Sequence, residues 1–185
     1  KKRLYDETRA ILSRRKAVAR PMKSTFEQLN RLIRGWINYY RIGSMKMFLE
    51  EYGRWLRHKV RVVILKQWKR PRRIYQNLQK LNRIVRCKFT HEEIFKVANS
   101  RLGWYKKSGM YVVNFAISPE ILERKTKSRP GLVDPLQYYL SSIWFYIDVA
   151  PYTRTVRTVQ WEGEETHSTL LAQVIRGLIR HRVSR

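Results

Sequence analysis

The sequence predicts a mainly α-helical protein that ends in a short α/β or irregular C-terminal tail. Three observations carry this prediction. Apolar residues recur at helical spacing through most of the chain up to Leu140, as in Phe26, Leu29, Ile33, Trp36, Ile37 and Tyr40. Two stretches, Ser24 to Glu27 and Thr90 to Glu93, have the S/T-x-x-E form of a capping box that opens a helix. Strand-like alternation is confined to one late stretch, Thr153 to Trp161.

Residues 1 to 20 read as a basic helix with Leu4, Ile11, Leu12 and Ala19 apolar. Its late cations, Arg14, Arg15, Lys16 and Arg20, suit the negative end of a helix dipole, and Pro21 closes it. The next helix opens at the Ser24 box and ends at Gly43, which fits a left-handed terminal position. Ser44 can cap a long third helix whose apolar line is Phe48, Tyr52, Trp55, Leu56, Val60, Val63, Ile64 and Trp68, and Pro71 stops it. The basic side of that helix holds Arg54, Arg57, Arg61, Lys66, Lys69 and Arg70. The β-branched run Val62 to Ile64 leaves a strand as a minor alternative there.

Ile74, Tyr75, Leu78 and Leu81 suggest a short helix, and Thr90 opens another that ends before Gly103. Ser108-Gly109 is a turn, and Met110 to Ile117 is either strand or helix. Ser118-Pro119-Glu120 starts a helix with proline at its first position, ended by Arg129-Pro130-Gly131. Asp134 to Leu140 is a last short helix. Beyond it, a turn at Gly163 precedes an amphipathic helix through Leu170, Leu171, Val174, Ile175, Leu178 and Ile179.

Charge decides the class of partner. The 185 residues hold 40 Lys+Arg against 14 Asp+Glu, a formal net charge of +26. Self-repulsion at that density costs stability unless a polyanion relieves it. From Tyr52 to His91 there are thirteen Lys and Arg and no acid at all. No apolar run approaches the ~18 residues of a spanning helix, and aromatics scattered on a basic surface fit RNA or DNA better than lipid. The single cysteine, Cys87, excludes an internal disulfide and a Cys-rich zinc site, implies a reducing compartment and gives a cytoplasmic expectation. Beginning at Lys1 instead of Met, the chain reads as a fragment or processed product.

No catalytic apparatus is legible. Glu50-Glu51 and Glu92-Glu93 are adjacent on helices, so their side chains diverge by about 100° and do not converge on one metal ion. His91 is explained by its place in a first helical turn, and no phosphate-cradling glycine loop occurs. Neither a metal nor another cofactor is expected.

The segment LIRGWINYYRIG, Leu32 to Gly43, followed by the basic helix ending LKQWKRP at Pro71, resembles the maturase-specific (X) domain of group II intron-encoded proteins. ANSRLGWYKKSG (Ala98 to Gly109), NFAISPEIL (Asn114 to Leu122) and GLVDPLQYYL (Gly131 to Leu140) resemble the rest of that domain in order and spacing. The resemblance implies a helical thumb region over 1–30, the maturase domain over 31–140 and an unassigned tail over 141–185. It implies an RNA-binding splicing cofactor that holds group II intron RNA in its active fold and leaves the chemistry to the RNA. The alternative is a fragment of a reverse transcriptase–maturase acting with a separate or upstream polymerase palm. The family's fingers, palm and endonuclease motifs have no counterpart in these residues. DNA or an RNA–DNA duplex is a further candidate partner.

The candidate RNA contacts are Arg34, Tyr39, Arg41, Lys46, Arg54, Arg57, Arg61, Lys66, Lys69, Arg70, Arg72 and Arg73. Changing Arg57, Arg61, Lys66 and Lys69 to Gln is expected to lower the salt slope of binding by roughly one unit per lost contact. Trp36, Trp55 and Trp68 lie on the apolar lines and are expected in the core, so Trp36→Ala should cost about 3–5 kcal/mol. Net charge falls from +24 over residues 1–140 to +2 over 141–185. The tail is therefore expected to be dispensable for RNA binding, with its last helix a candidate for self-association.

Overall fold

Helical periodicity with apolar residues on every side marks a helix that the rest of a fold wraps around. In the computed structural model, which describes residues 1–126 and 129–149, that helix is α4, Lys46–Trp68. Leu49, Tyr52, Leu56, Val60, Val62, Val63 and Leu65 are all buried along it. It is preceded by α1 (Lys2–Ile11), the single turn α2 (Arg14–Ala17) and α3 (Met22–Tyr40). It is followed by α5 (Pro71–Val85), α6 (His91–Asn99), α7 (Trp104–Ser108), α8 (Tyr111–Ala116), α9 (Pro119–Glu123) and α10 (Pro135–Val149). Among the described residues every regular element is a helix, and the only β pairing is an isolated bridge between Thr126 and Arg129. The mainly α class is as the sequence predicts. Residues Lys1–Asp148 form one unit, and the tail from residue 150, including the expected strand, turn and last helix, lies outside the described residues.

Several helix ends differ from expectation. The first helix breaks at Ser13, whose backbone is extended, so α1 and α2 are separate. Pro21 is also extended and caps the start of α3, which therefore begins ahead of the Ser24 box; no side chain caps it. Gly43 is not left-handed, and α3 ends at Arg41 in ordinary right-handed geometry. Met45, not Ser44, precedes α4, and no side chain caps that helix either. At its far end Lys69 takes a positive φ of 57° and its N–H reaches the Leu65 carbonyl at 3.0 Å. Pro71 then opens α5 at its first helical position.

The Thr90 box forms as expected. Glu93 N–H donates to Thr90 Oγ1 at 3.3 Å, and Thr90 N–H donates to the Glu93 carboxylate at 2.8 Å. The open stretch at Met110 to Ile117 is helix α8, and the helix expected to end at Leu140 continues to Val149 with Ile143 against the core. Removing residues after Leu140 would thus cut into a helix of the main unit.

Side chains from both halves of the chain meet on α4. Tyr52, fully buried, shares a 2.7 Å hydrogen bond with Thr8 of α1, and its burial pushes its phenol up to about 12. Ser108 of α7 lies 3.2 Å from His58 Nε2, and Arg57 pairs with Asp134 at 3.0 Å. Asn30 of α3 donates to the Gly131 carbonyl at 2.7 Å and accepts from Val133 N–H at 2.9 Å, fixing the approach to α10. Gly131 is required there, because a Cβ would collide with the Glu123 carbonyl oxygen. Trp36, Trp55 and Trp68 pack on this core but are only half-buried. The cost of Trp36→Ala is accordingly below that of a fully enclosed ring.

Candidate nucleic-acid interface

A cation can neutralise a phosphate only if its head group reaches solvent and is not already paired, and burial separates the candidate residues on this test. Arg61 is 9% exposed, and its Nε donates to the Ile117 carbonyl of the α8 end at 2.9 Å. Burial and the neighbouring Arg57 hold its guanidinium below the usual range. The expectation that Arg61 lies on an open basic face of α4 is corrected: it turns inward to satisfy a helix terminus. Arg57 is also drawn in, by Asp134, with both side chains under a fifth exposed. Lys66 is half-buried. Helices α5 and α7 pack against α4, and Arg61 in its far half meets the end of α8.

The exposed cations gather instead on the link after α4 and along α5. Lys69, Arg70, Arg72 and Arg73 are all exposed. Lys80 and Arg83 continue the same side of α5 at helical spacing, with Ile74 and Leu78 buried opposite. Arg86 and Lys88 are exposed just beyond it. Among the described residues the ion pairs are Arg3–Glu7, Arg9–Asp6 and Arg57–Asp134, and none involves this stripe. Arg72 and Arg73 stand in the first turn of α5, where no acidic residue occurs. Cations at the positive end of a helix dipole are unfavourable until an anion arrives.

A second exposed region surrounds the loop from α3 to α4. Tyr39 is 77% exposed and Ile42 97%. Lys46 and Arg54 are exposed on α4, and Arg34 on α3 lies with its guanidinium 5.8 Å from the Tyr138 ring. Arg41 beside them is half-buried. The twelve candidates therefore fall in two regions and an interior group. Lys80 and Arg83 were not among the twelve, although the amphipathic spacing of α5 was a sufficient signal for their exposure.

His58, Lys107 and Arg129 are further titratable groups drawn inward, and Arg129 donates to the Ile121 carbonyl at 2.8 Å. Burial lowers the His58 imidazole, helped by Arg61 and Lys59. Burial also lowers Lys107, whose Nζ donates to the Ala98 carbonyl at 3.2 Å. Among the described residues no carboxylate is hydrogen-bonded to His58, so its contact with Ser108 braces α7 and lacks the third member of a nucleophilic triad. Among the described residues no group of three His, Cys, Asp or Glu could hold a metal ion, and no helix is long and apolar enough to cross a membrane.

Placement of Arg61 makes a direct prediction. Arg61→Gln should lower thermal stability by about 1.5–3 kcal/mol, the range for a hydrogen bond to a charged group. It should leave the salt slope of RNA binding unchanged. A stable Arg61→Gln protein with a reduced slope would return this residue to the binding surface.

Residues 1–84 match the family model described as group II intron, maturase-specific domain. No curated protein matches the chain. The match runs from α1 through all but the last residue of α5, so it takes in the cationic stripe and the α3–α4 loop. Over residues 1–84 the chain is thus similar to the maturase-specific domain of group II introns, a likeness that supports a group II intron maturase fragment and implies involvement in group II intron splicing.

Proposed function

We propose that this protein is an RNA-binding splicing cofactor that grips folded group II intron RNA through α5 and the link before it. The observation that carries the reading is the stripe of Lys69, Arg70, Arg72, Arg73, Lys80 and Arg83, exposed and without ion-pair partners among the described residues. Two of its arginines crowd the positive end of α5. A phosphate bound there relieves both the mutual repulsion and the unfavourable dipole contact. RNA helices packed side by side repel through their phosphates, and a rigid cationic helix between them offsets that repulsion. The protein then stabilises the packed RNA and need supply no catalytic group. Tyr39, Arg34, Lys46 and Arg54 form the second contact region. One unpaired cysteine and a site built for RNA suit action in the cytoplasm.

Comparison at one fixed salt concentration tests the partner. Folded group II intron RNA should bind at least tenfold more tightly than duplex DNA of equal phosphate number. Equal affinity for the two would reduce the protein to a general polyanion binder.

A further inference from the structure

A row of aromatic rings crosses the surface where α1, α3 and α4 meet, and it is distinct from the α5 stripe. Tyr39 touches Tyr40 with ring centroids 4.7 Å apart, and Tyr40 touches Trp36 at 4.7 Å. Trp36 leads to Phe48 at 5.4 Å, and Tyr5 stands 6.1 Å from Phe48 and 4.7 Å from Trp55. Phe48, Tyr5 and Trp55 line an open groove of about 790 Å³. Its rim carries Lys1, Lys2, Arg9 and Arg54 against a single carboxylate, Glu51, with Met47 at the mouth.

Core packing explains the inner edges of these rings, and cationic side chains approach their outer sides. Lys1 Nζ lies 5.3 Å from the Phe48 ring, and Arg9 lies 5.8 Å from Tyr5 and 5.7 Å from Trp55. Lys59 approaches Trp55 at 5.8 Å. Arg9 also pairs with Asp6 at 2.9 Å, which holds it over the groove. Such a surface suits an occupant that is both flat and anionic. A lining of four cations to one acid disfavours an acid-poor apolar protein segment, and a nucleic-acid duplex keeps its base faces stacked inside. Unpaired nucleotides meet both demands, because every base has a π face and every linkage a phosphate. The volume falls in the range of about 300–1,000 Å³ usual for ligand sites, room for a few bases.

We propose that this groove takes unpaired RNA nucleotides, stacking bases on Trp55, Phe48 and Tyr5 while Lys2 and Arg54 hold the flanking phosphates. The proposal rests on the RNA-binding reading but assigns a different site and a different force. The stacking share of its contribution is insensitive to salt, whereas the α5 stripe acts through counterion release alone.

The test uses the whole chain with two probes, a short unstructured oligoadenylate RNA and a blunt RNA duplex. Trp55→Leu should weaken oligoadenylate binding by about tenfold or more, with an unchanged salt slope and unchanged duplex affinity. Because Trp55 is half-buried, thermal unfolding must show this variant folded. Met47→Glu is the second variant: Met47 is 79% exposed, so an acid there blocks the groove without disturbing the core. It should weaken oligoadenylate binding and spare the duplex. Normal oligoadenylate binding by Met47→Glu, or by a folded Trp55→Leu protein, would overturn the proposal. Equal loss for both probes would overturn it too, by merging the groove with the general basic surface. Phosphatidylserine vesicles bound by the parent and not by Met47→Glu, with oligoadenylate binding intact, would give the groove to a lipid and also overturn it. Neutralising the α5 stripe separates the two readings, since it should abolish duplex binding and leave the Trp55-dependent share of oligoadenylate binding in place.

Discussion

Replacing Arg72, Arg73, Lys80 and Arg83 together with Gln should lower affinity for folded intron RNA by about a thousandfold at 0.1 M salt. The size follows from counterion release, in which each phosphate contact contributes about 0.7–0.9 to the slope of log affinity against log salt. Four lost contacts should flatten that slope by about three units. The substitutions are safe for the fold: all four side chains are exposed, and none has an ion-pair partner among the described residues. Removing Arg72 and Arg73 from the positive end of α5 should even raise thermal stability slightly. Weaker binding together with a higher melting temperature is a signature that general unfolding cannot imitate. A parental salt slope in this variant would exclude α5 as the RNA contact.

Cutting the chain after residue 84, where the family match ends, should abolish cooperative folding. The matched stretch supplies the core helix but not its cover. Ile94, Val97, Val112, Val113, Ile117, Leu122, Leu132 and Tyr139 are buried in the same core and would be lost. Each such side chain contributes about 1.5–3 kcal/mol when fully buried, against a whole-domain stability of about 5–15 kcal/mol. The truncation would also strip Arg61 of the Ile117 carbonyl and Arg57 of Asp134. Two inward-facing guanidinium groups would then be left facing a bare apolar surface. The expected product keeps helical circular dichroism, binds a hydrophobic dye and unfolds without a sharp transition. A cooperative transition in the 1–84 fragment would show that the matched stretch is a domain by itself.

The sequence by itself determined the helical class, the Thr90 box, the proline start of α9 and the strong cationic excess. Each depends on local chemistry: spacing sets which residues share a helix face, proline fixes its own φ, and like charges repel whatever the fold. The α5 stripe was also legible, in part, through Arg72 and Arg73. The likeness to the maturase-specific domain was legible because Leu32 to Pro71 carries its pattern in contiguous residues. What only the tertiary structure decided was which cations face water. Arg57, Arg61 and Lys66 lie in the longest basic run, and on an isolated helix all three would be solvated. Residues from 94 onward close over that helix, so Arg61 turns to the end of α8 and Arg57 to Asp134, partners 56 and 77 positions away. The starts of α3 at Pro21 and of α4 at Met45 likewise carry no capping side chain. Long-range partners have no local signature, because a helical face looks the same in sequence whether water or another helix will cover it.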